Sequence, residues 1–180
     1  MVRQERDEMT VEPLHTHTAI VDLVEARNEC RESLRTPGFS TEYTQGEWFE
    51  TINKPDSKMW YWEFREQQPK SEYQDLVGVG GLTFDRFNRS AEISVLTFVR
   101  RKGYGQQIVD WLVNEAFQNQ NMHKVWAEVY ECNPNHDAWR KLLRFENGNV
   151  IETYREDQKY WAGTYHNATV YDVINPRESS

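Results

Sequence analysis

Arg100-Arg101-Lys102-Gly103-Tyr104-Gly105 sets three cations immediately ahead of two closely spaced glycines. Those residue types in that order suit the binding of an anion. Upstream, Ala91 to Phe98 is rich in β-branched residues, contains no breaker and predicts a strand. Downstream, Ile108, Val109, Leu112, Val113, Ala116 and Phe117 recur at helical spacing, which predicts a helix from near Gly103 to about Asn119. Glycines without a Cβ let an anion approach the backbone, and the first N–H groups of the helix point at it without intrahelical partners. The three cations raise the local potential further. The pattern fits a pyrophosphate cradle, although ordinary strand-to-helix turns use the same residues. It is not a P-loop, because Gly-Lys-Ser/Thr is absent. Nor is it the dinucleotide fingerprint, because Ile108 stands where a third glycine belongs.

Around this turn the chain is punctuated by breakers. Met9 to Leu14 alternates as a first strand, and Thr18 is placed to cap a helix carrying Ile20, Val21, Leu23 and Val24 that ends before Pro37-Gly38. A second helix begins at Thr41 and stops at Asn53-Lys54-Pro55-Asp56. Met59–Phe64, Leu76–Phe84 and the strand before the basic turn follow one another with short connections, so they form an antiparallel meander. The segment from Glu66 to Gln74 reads as a loop, and the glycines of Leu76–Phe84 point to a bulge or a close backbone approach. Val125–Tyr130 is the next strand and completes a parallel crossover unit. Asn133-Pro134-Asn135 opens a helix with Ala138, Trp139, Leu142, Leu143 and Phe145, and Asn149–Arg155 with Ala168–Ile174 reads as a closing hairpin. The expectation is an α+β domain over residues 9–174, between a polar lead-in at 1–8 and a polar tail at 175–180.

Composition narrows the function. Of 180 residues 38% are hydrophobic and 13% aromatic, enough for a packed core, and no apolar run has the length of a membrane span. The charged N-terminus lacks the apolar stretch of a signal peptide. A soluble, cytoplasmic protein without a membrane partner is expected. The net charge of −8 argues against sequence-independent nucleic-acid binding and favours cationic partners such as amines. Cys30 and Cys132 form neither a metal pair nor a disulfide framework and read as buried thiols. The histidines, His15 and His17 included, give no zinc pattern, so no metal is expected.

Arg100-x-x-Gly103-x-Gly105 after a strand resembles the Arg/Gln-x-x-Gly-x-Gly/Ala signature of the GNAT acyltransferase superfamily. The resemblance extends from about Met9 to Ile174 and is strongest between Leu76 and Phe145. Strand, two helices, three strands, helix, strand, helix and two strands is also the order of that fold. The resemblance implies a central mixed, mostly antiparallel sheet of about seven strands, with helices on both faces and a splay at the cofactor cleft. It implies acetyl-CoA as co-substrate, its pantetheine arm along the backbone of Ile93, Ser94 and Val95. Its pyrophosphate would meet Arg100, Arg101, Lys102, Gly103, Tyr104, Gly105 and Gln106. Asn133 matches an asparagine that commonly contacts the cofactor; its residue-level alternative is an Asx turn with Pro134.

An amine acceptor must lose a proton before it attacks a thioester, and a carboxylate is the usual recipient. The resemblance offers Glu128 first and Glu92 second. The tyrosine that serves many members as acid is here Arg140, so Arg140, Tyr130 or no dedicated group would meet the departing thiolate. The Gln45-x-x-Trp48-Phe49 pair and the run Gly163 to Ala168 resemble enzymes that acetylate ribosomal-protein N-termini, spermidine or amino sugars. The resemblance thus implies an N-acetyltransferase for a primary amine, on a small molecule, an amino sugar or a peptide N-terminus. The competing expectation is a catalytically degenerate module that binds coenzyme A for regulation or stability. The oligomeric state is left open, a homodimer included.

Overall fold

The computed structural model describes residues 9–14, 18–67, 74–99, 103–143 and 150–176. The N-terminal lead-in, His15 and His17, most of the polar loop, Arg100, Arg101, Lys102, Arg144, Phe145 and the last four residues lie outside the described residues. The elements follow the expected order: β1 (Met9–Pro13), α1 (Thr18–Glu29), a 3-10 turn (Arg31–Ser33), α2 (Glu42–Ile52), β2 (Met59–Gln67), β3 (Gln74–Asp85), β4 (Ser90–Thr97) and α3 (Tyr104–Asn114). A π-helical turn (Glu115–Asn119), β5 (Lys124–Tyr130), a second 3-10 turn (His136–Ala138), α4 (Trp139–Leu142), β6 (Val150–Trp161) and β7 (Thr164–Ile174) complete the chain. Seven strands form one sheet in the order β1-β2-β3-β4-β5-β7-β6. Only β4 and β5 pair in parallel.

Helices cover both faces because the strands are apolar on both. On one face Phe64, Leu82, Ala91 and Ile93 pack against Ile108, Val109 and Leu112 of α3, all nearly inaccessible. On the other, Leu14, Ile20, Leu23, Phe49, Ile52 and Val79 form a smaller cluster beneath α1 and α2. Thr41 caps α2 with a reciprocal bond pair to Thr44, as its place before the helical pattern predicts. The glycines of β3 do serve a close approach. A Cβ on Gly80 would lie 2.8 Å from both Ile108 Cγ2 and Leu112 Cδ1, so α3 settles onto bare backbone.

Four expectations are corrected. Residues Glu66, Gln67 and Gln74 extend β2 and β3 rather than belonging to a loop. After Asn133 the backbone first closes tight turns, His136 N–H to Asn133 O and Ala138 N–H to Asn135 O, and only Trp139–Leu142 is α-helical before the described residues stop at 143. The final hairpin is far longer than the two short strands expected. It turns at Ala162 and Gly163, both with positive φ, and its register shifts between Arg155 and Lys159 around Asp157 at φ 51°. Both cysteines are partly buried rather than fully enclosed.

These contacts separate two glycines. Gly80→Ala overpacks the α3 interface and should destabilise the fold by about 1–3 kcal/mol. Gly46→Ala lies inside α2 with nothing within 4 Å of the new Cβ and should stabilise it by about 0.5–1 kcal/mol. Urea unfolding of the two variants checks the opposite signs.

Candidate active site

The parallel ladder between β4 and β5 lasts three residue pairs, Ser90 with Lys124, Ala91 with Val125 and Glu92 with Trp126. Both strands continue past it, to Thr97 and Tyr130, each held along its outer edge by β3 or β7. Past Glu92 the inner edges therefore diverge, and the backbone of Ile93, Ser94 and Val95 faces a gap instead of a ladder partner. A cavity of about 550 Å³ opens there, with Ile93–Val95 along one wall and Ala127–Tyr130 along the other.

At the mouth of this gap α3 begins. Gly103, in the left-handed conformation at φ 78°, is its N-cap and supplies no side chain to cover the first turn. Among the described residues a Cβ on Gly105 would meet only Thr97 Cγ2, at 3.9 Å, so none of them covers the first turn. Tyr104 turns into the core. Gln106 serves differently from expectation. Its N–H reaches back to Gly103 O at 3.2 Å, and its side-chain amide donates to Asp110 Oδ1 and Leu142 O, tying the loop to α4. Asn133 lines the cavity and also forms the Asx turn, Oδ1 accepting from Asn135 N–H at 2.8 Å.

Strand parity puts Glu92, Glu128 and Tyr130 on the face opposite α3. The Tyr130 hydroxyl donates to Glu128 Oε2 at 2.9 Å. Between the two carboxylates stands Arg35, from the segment after the first 3-10 turn. It makes a forked pair with Glu92, at 2.5 and 3.2 Å, and reaches Glu128 Oε2 at 3.2 Å. Arg155 of β6 holds the other oxygen of Glu128 at 3.2 Å. Burial would lower the Arg35 pKa, but its bonds to Glu92 and Tyr130 outweigh that and push it up. Tyr130 is also pushed up, first by burial, so its phenol keeps its proton beyond the ordinary range.

The segment carrying Arg35 is itself pinned. Lys159, 5% exposed, donates to the carbonyls of Arg31, Glu32 and Leu34 at 3.3, 2.6 and 2.6 Å, with its ammonium 5.0 Å from the centre of the Tyr130 ring. The Cys132 thiol adds a bond to Glu32 O. Burial lowers the Lys159 pKa, yet three carbonyl acceptors call for all three donors of an ammonium.

Glu92, Glu128, Tyr130, Asn133 and the Ile93–Val95 backbone thus meet at one cavity. Arg140 does not join them: its side chain is largely exposed, and Nε is paired with Glu152 Oε1 at 2.6 Å. Gln45 and Trp48 line the cavity, whereas Phe49 is core. Arg35, Arg155, Lys159, Arg27 and Tyr61 were not singled out by sequence. Arg35 meets its partner 57 positions away, and no local spacing signals that.

No curated protein sequence matches the chain. Among solved structures, a spermidine N-acetyltransferase from Vibrio cholerae in complex with CoA and spermine superposes with TM-score 0.79 at 15% identity, covering 94% of this chain and 96% of that one. An N-acetyltransferase from Staphylococcus aureus Mu50 superposes with TM-score 0.71 at 15% identity, covering 93% and 98%. At such identities the likeness is one of fold. The model of the acetyltransferase (GNAT) family matches residues 20–145, well over half the chain and a span that holds the strand fork, the glycine turn and both cleft carboxylates. The split ladder and the uncovered helix start are therefore features of an acetyltransferase, and the chain belongs to the GNAT family.

Proposed function

We propose that this acetyltransferase acts on a primary amine of a small molecule, an amino sugar or a peptide N-terminus. One observation carries the reading: Glu92 and Glu128 converge on a single guanidinium at the point where β4 and β5 part. Two carboxylates around one cation form a site for an ammonium as well, and the incoming amine would exchange with Arg35 on one of them. The spermine bound by the Vibrio cholerae enzyme of the same fold is an amine, which agrees with this acceptor class.

Acetyl-CoA, the co-substrate of the family, supplies an activated acetyl thioester. The residues present fit it on two counts. The Ile93–Val95 backbone offers unladdered donors and acceptors to an amide-bearing arm, and the space above Gly103 and Gly105 is open to phosphate oxygens. In this proposal Arg100, Arg101 and Lys102 supply charge to the same turn, and Tyr104 and Gln106 hold it in place, while Asn133 borders the arm. An alkylammonium with pKa about 10.4 gives up its proton at pH 7 at a cost of about 4–5 kcal/mol. Glu128 takes that proton, directly or through water, with Glu92 holding the ammonium beside it. The nitrogen–carbonyl bond forms as the carbon–sulfur bond breaks, and the Tyr130 phenol, which lines the cavity and is hydrogen-bonded to Glu128, would supply a proton to the departing thiolate.

Thiol release from acetyl-CoA across an amine panel tests the activity. Glu128→Gln should lower kcat by roughly 10²–10⁴-fold and erase the acidic limb of the pH profile, with coenzyme A affinity little changed. Glu92→Gln should act mainly on the acceptor KM. Normal turnover in both variants would remove the glutamates from the mechanism. At the turn, Gly103→Val with Gly105→Val should weaken coenzyme A binding in calorimetry while the protein stays folded by circular dichroism. Unchanged affinity there would move the phosphate site elsewhere.

A further inference from the structure

The cavity that begins at the strand fork extends beneath α1 and α2, and its far end carries groups that proton transfer does not use. Arg27 of α1 lines it. Its guanidinium has one hydrogen bond, Nε to Ser40 Oγ at 3.3 Å, and no carboxylate partner among the described residues. That single bond positions it firmly, because Ser40 is 5% exposed and its backbone is clamped from both sides by the Asn28 amide, at 2.8 and 2.9 Å. Burial pushes the Arg27 pKa down, and the groups that oppose this, Tyr61 and Cys30, carry no charge in their protonated forms. Arg35 and Arg155 have acidic partners and Lys159 has carbonyl ones. Gln45 of α2 is 6% exposed, lines the same cavity, and its Oε1 has no hydrogen-bond partner among the described residues. A positioned guanidinium without a counter-charge is satisfied by an anionic ligand, whereas the Gln45 carbonyl oxygen, an acceptor, is satisfied only by a donor.

We infer that Arg27 binds a carboxylate of the acceptor, so that the substrate is an amine and a carboxylate in one molecule, an amino acid by class. The inference rests on the amine-acceptor reading above and extends it. The charges lining the cavity support it: Arg27 and Arg35 balance Glu92 and Glu128, whereas the chain as a whole carries −8. A lining with no net charge suits a zwitterion; a polycation calls for an acidic one. The guanidinium fork also matches a carboxylate through two parallel bonds, which a lysine cannot reproduce.

The test uses acceptor pairs that differ by one carboxylate: phenylalanine with phenethylamine, lysine with cadaverine, and 6-aminohexanoate with hexylamine. Thiol release gives kcat/KM for each in the whole protein, wild type and Arg27→Gln, with thermal unfolding and coenzyme A calorimetry to verify folding. The expected result is a wild-type preference for the carboxylate member of at least one pair. Arg27→Gln should shrink that preference about 10- to 100-fold, through KM, and Arg27→Lys should restore part of it. Wild-type preference for the decarboxylated members, or equal losses for both members in Arg27→Gln, overturns the inference while leaving the amine reading intact. Absence of thiol release with every amine overturns both.

Discussion

Three pairs of parallel ladder hold the two halves of the sheet together, and the site depends on there being no fourth. β4 is bonded to β3 along its whole length and β5 to β7 along its whole length, so neither strand needs the other to stay in place. The sheet can therefore part on one line without leaving a strand loose. The price is a short row of main-chain groups without ladder partners, which is tolerable only where solvent or a ligand meets them. α3 packs beside the parting, its apolar face against Leu82 of β3 and Ile93 of β4. That fixes its N-terminus at the mouth of the gap, where a helix start is most useful to an anion.

Charge is then distributed across the fork by strand parity. Alternate residues of β4 and β5 face α3 and are apolar; those between them, Glu92, Glu128 and Tyr130, face the α1–α2 side. Carboxylates on neighbouring strands would repel one another in a partly buried cleft. Arg35 and Arg155 remove that cost from opposite sides, one from the N-terminal half of the chain and one from the last hairpin. Glu128 is thereby fixed in orientation by three partners, an arrangement that suits its proposed role as proton acceptor.

Most elements could be read because their periodicity was local. α3 shows five buried residues at helical spacing, and the meander strands are bounded by turn residues. The long hairpin escaped because β6 is exposed along nearly its whole length. Its Glu156-Asp157-Gln158 run has no alternation to display, and a bulge resets its register. The helix after Asn133 was overextended because Ala138, Trp139, Leu142 and Leu143 fit a helical stripe, while the tight turns ahead of them are set by Asn133 capping its own loop. At the site, Glu92 and Glu128 came from the family resemblance, and parity along the strand related Glu128 to Tyr130. Arg27, Arg35 and Lys159 were not legible, since a cation's partner in a distant segment leaves no trace in its own neighbourhood.

Lys159 deserves a different description: it acts as a late-arriving key. The carbonyls of Arg31, Glu32 and Leu34 converge on one ammonium that lies 125 to 128 positions further along the chain. Until that residue is in place, the Leu34 carbonyl lacks its ammonium and those of Arg31 and Glu32 keep only the Leu34 N–H and the Cys132 thiol, so the segment carrying Arg35 is less firmly held. A chain emerging from synthesis in order can form the meander, α3 and the glycine turn while its acceptor side is still unbuilt. Under the proposed function, the turn that would meet the co-substrate and the groups that would meet the amine thus draw on different stretches of the chain.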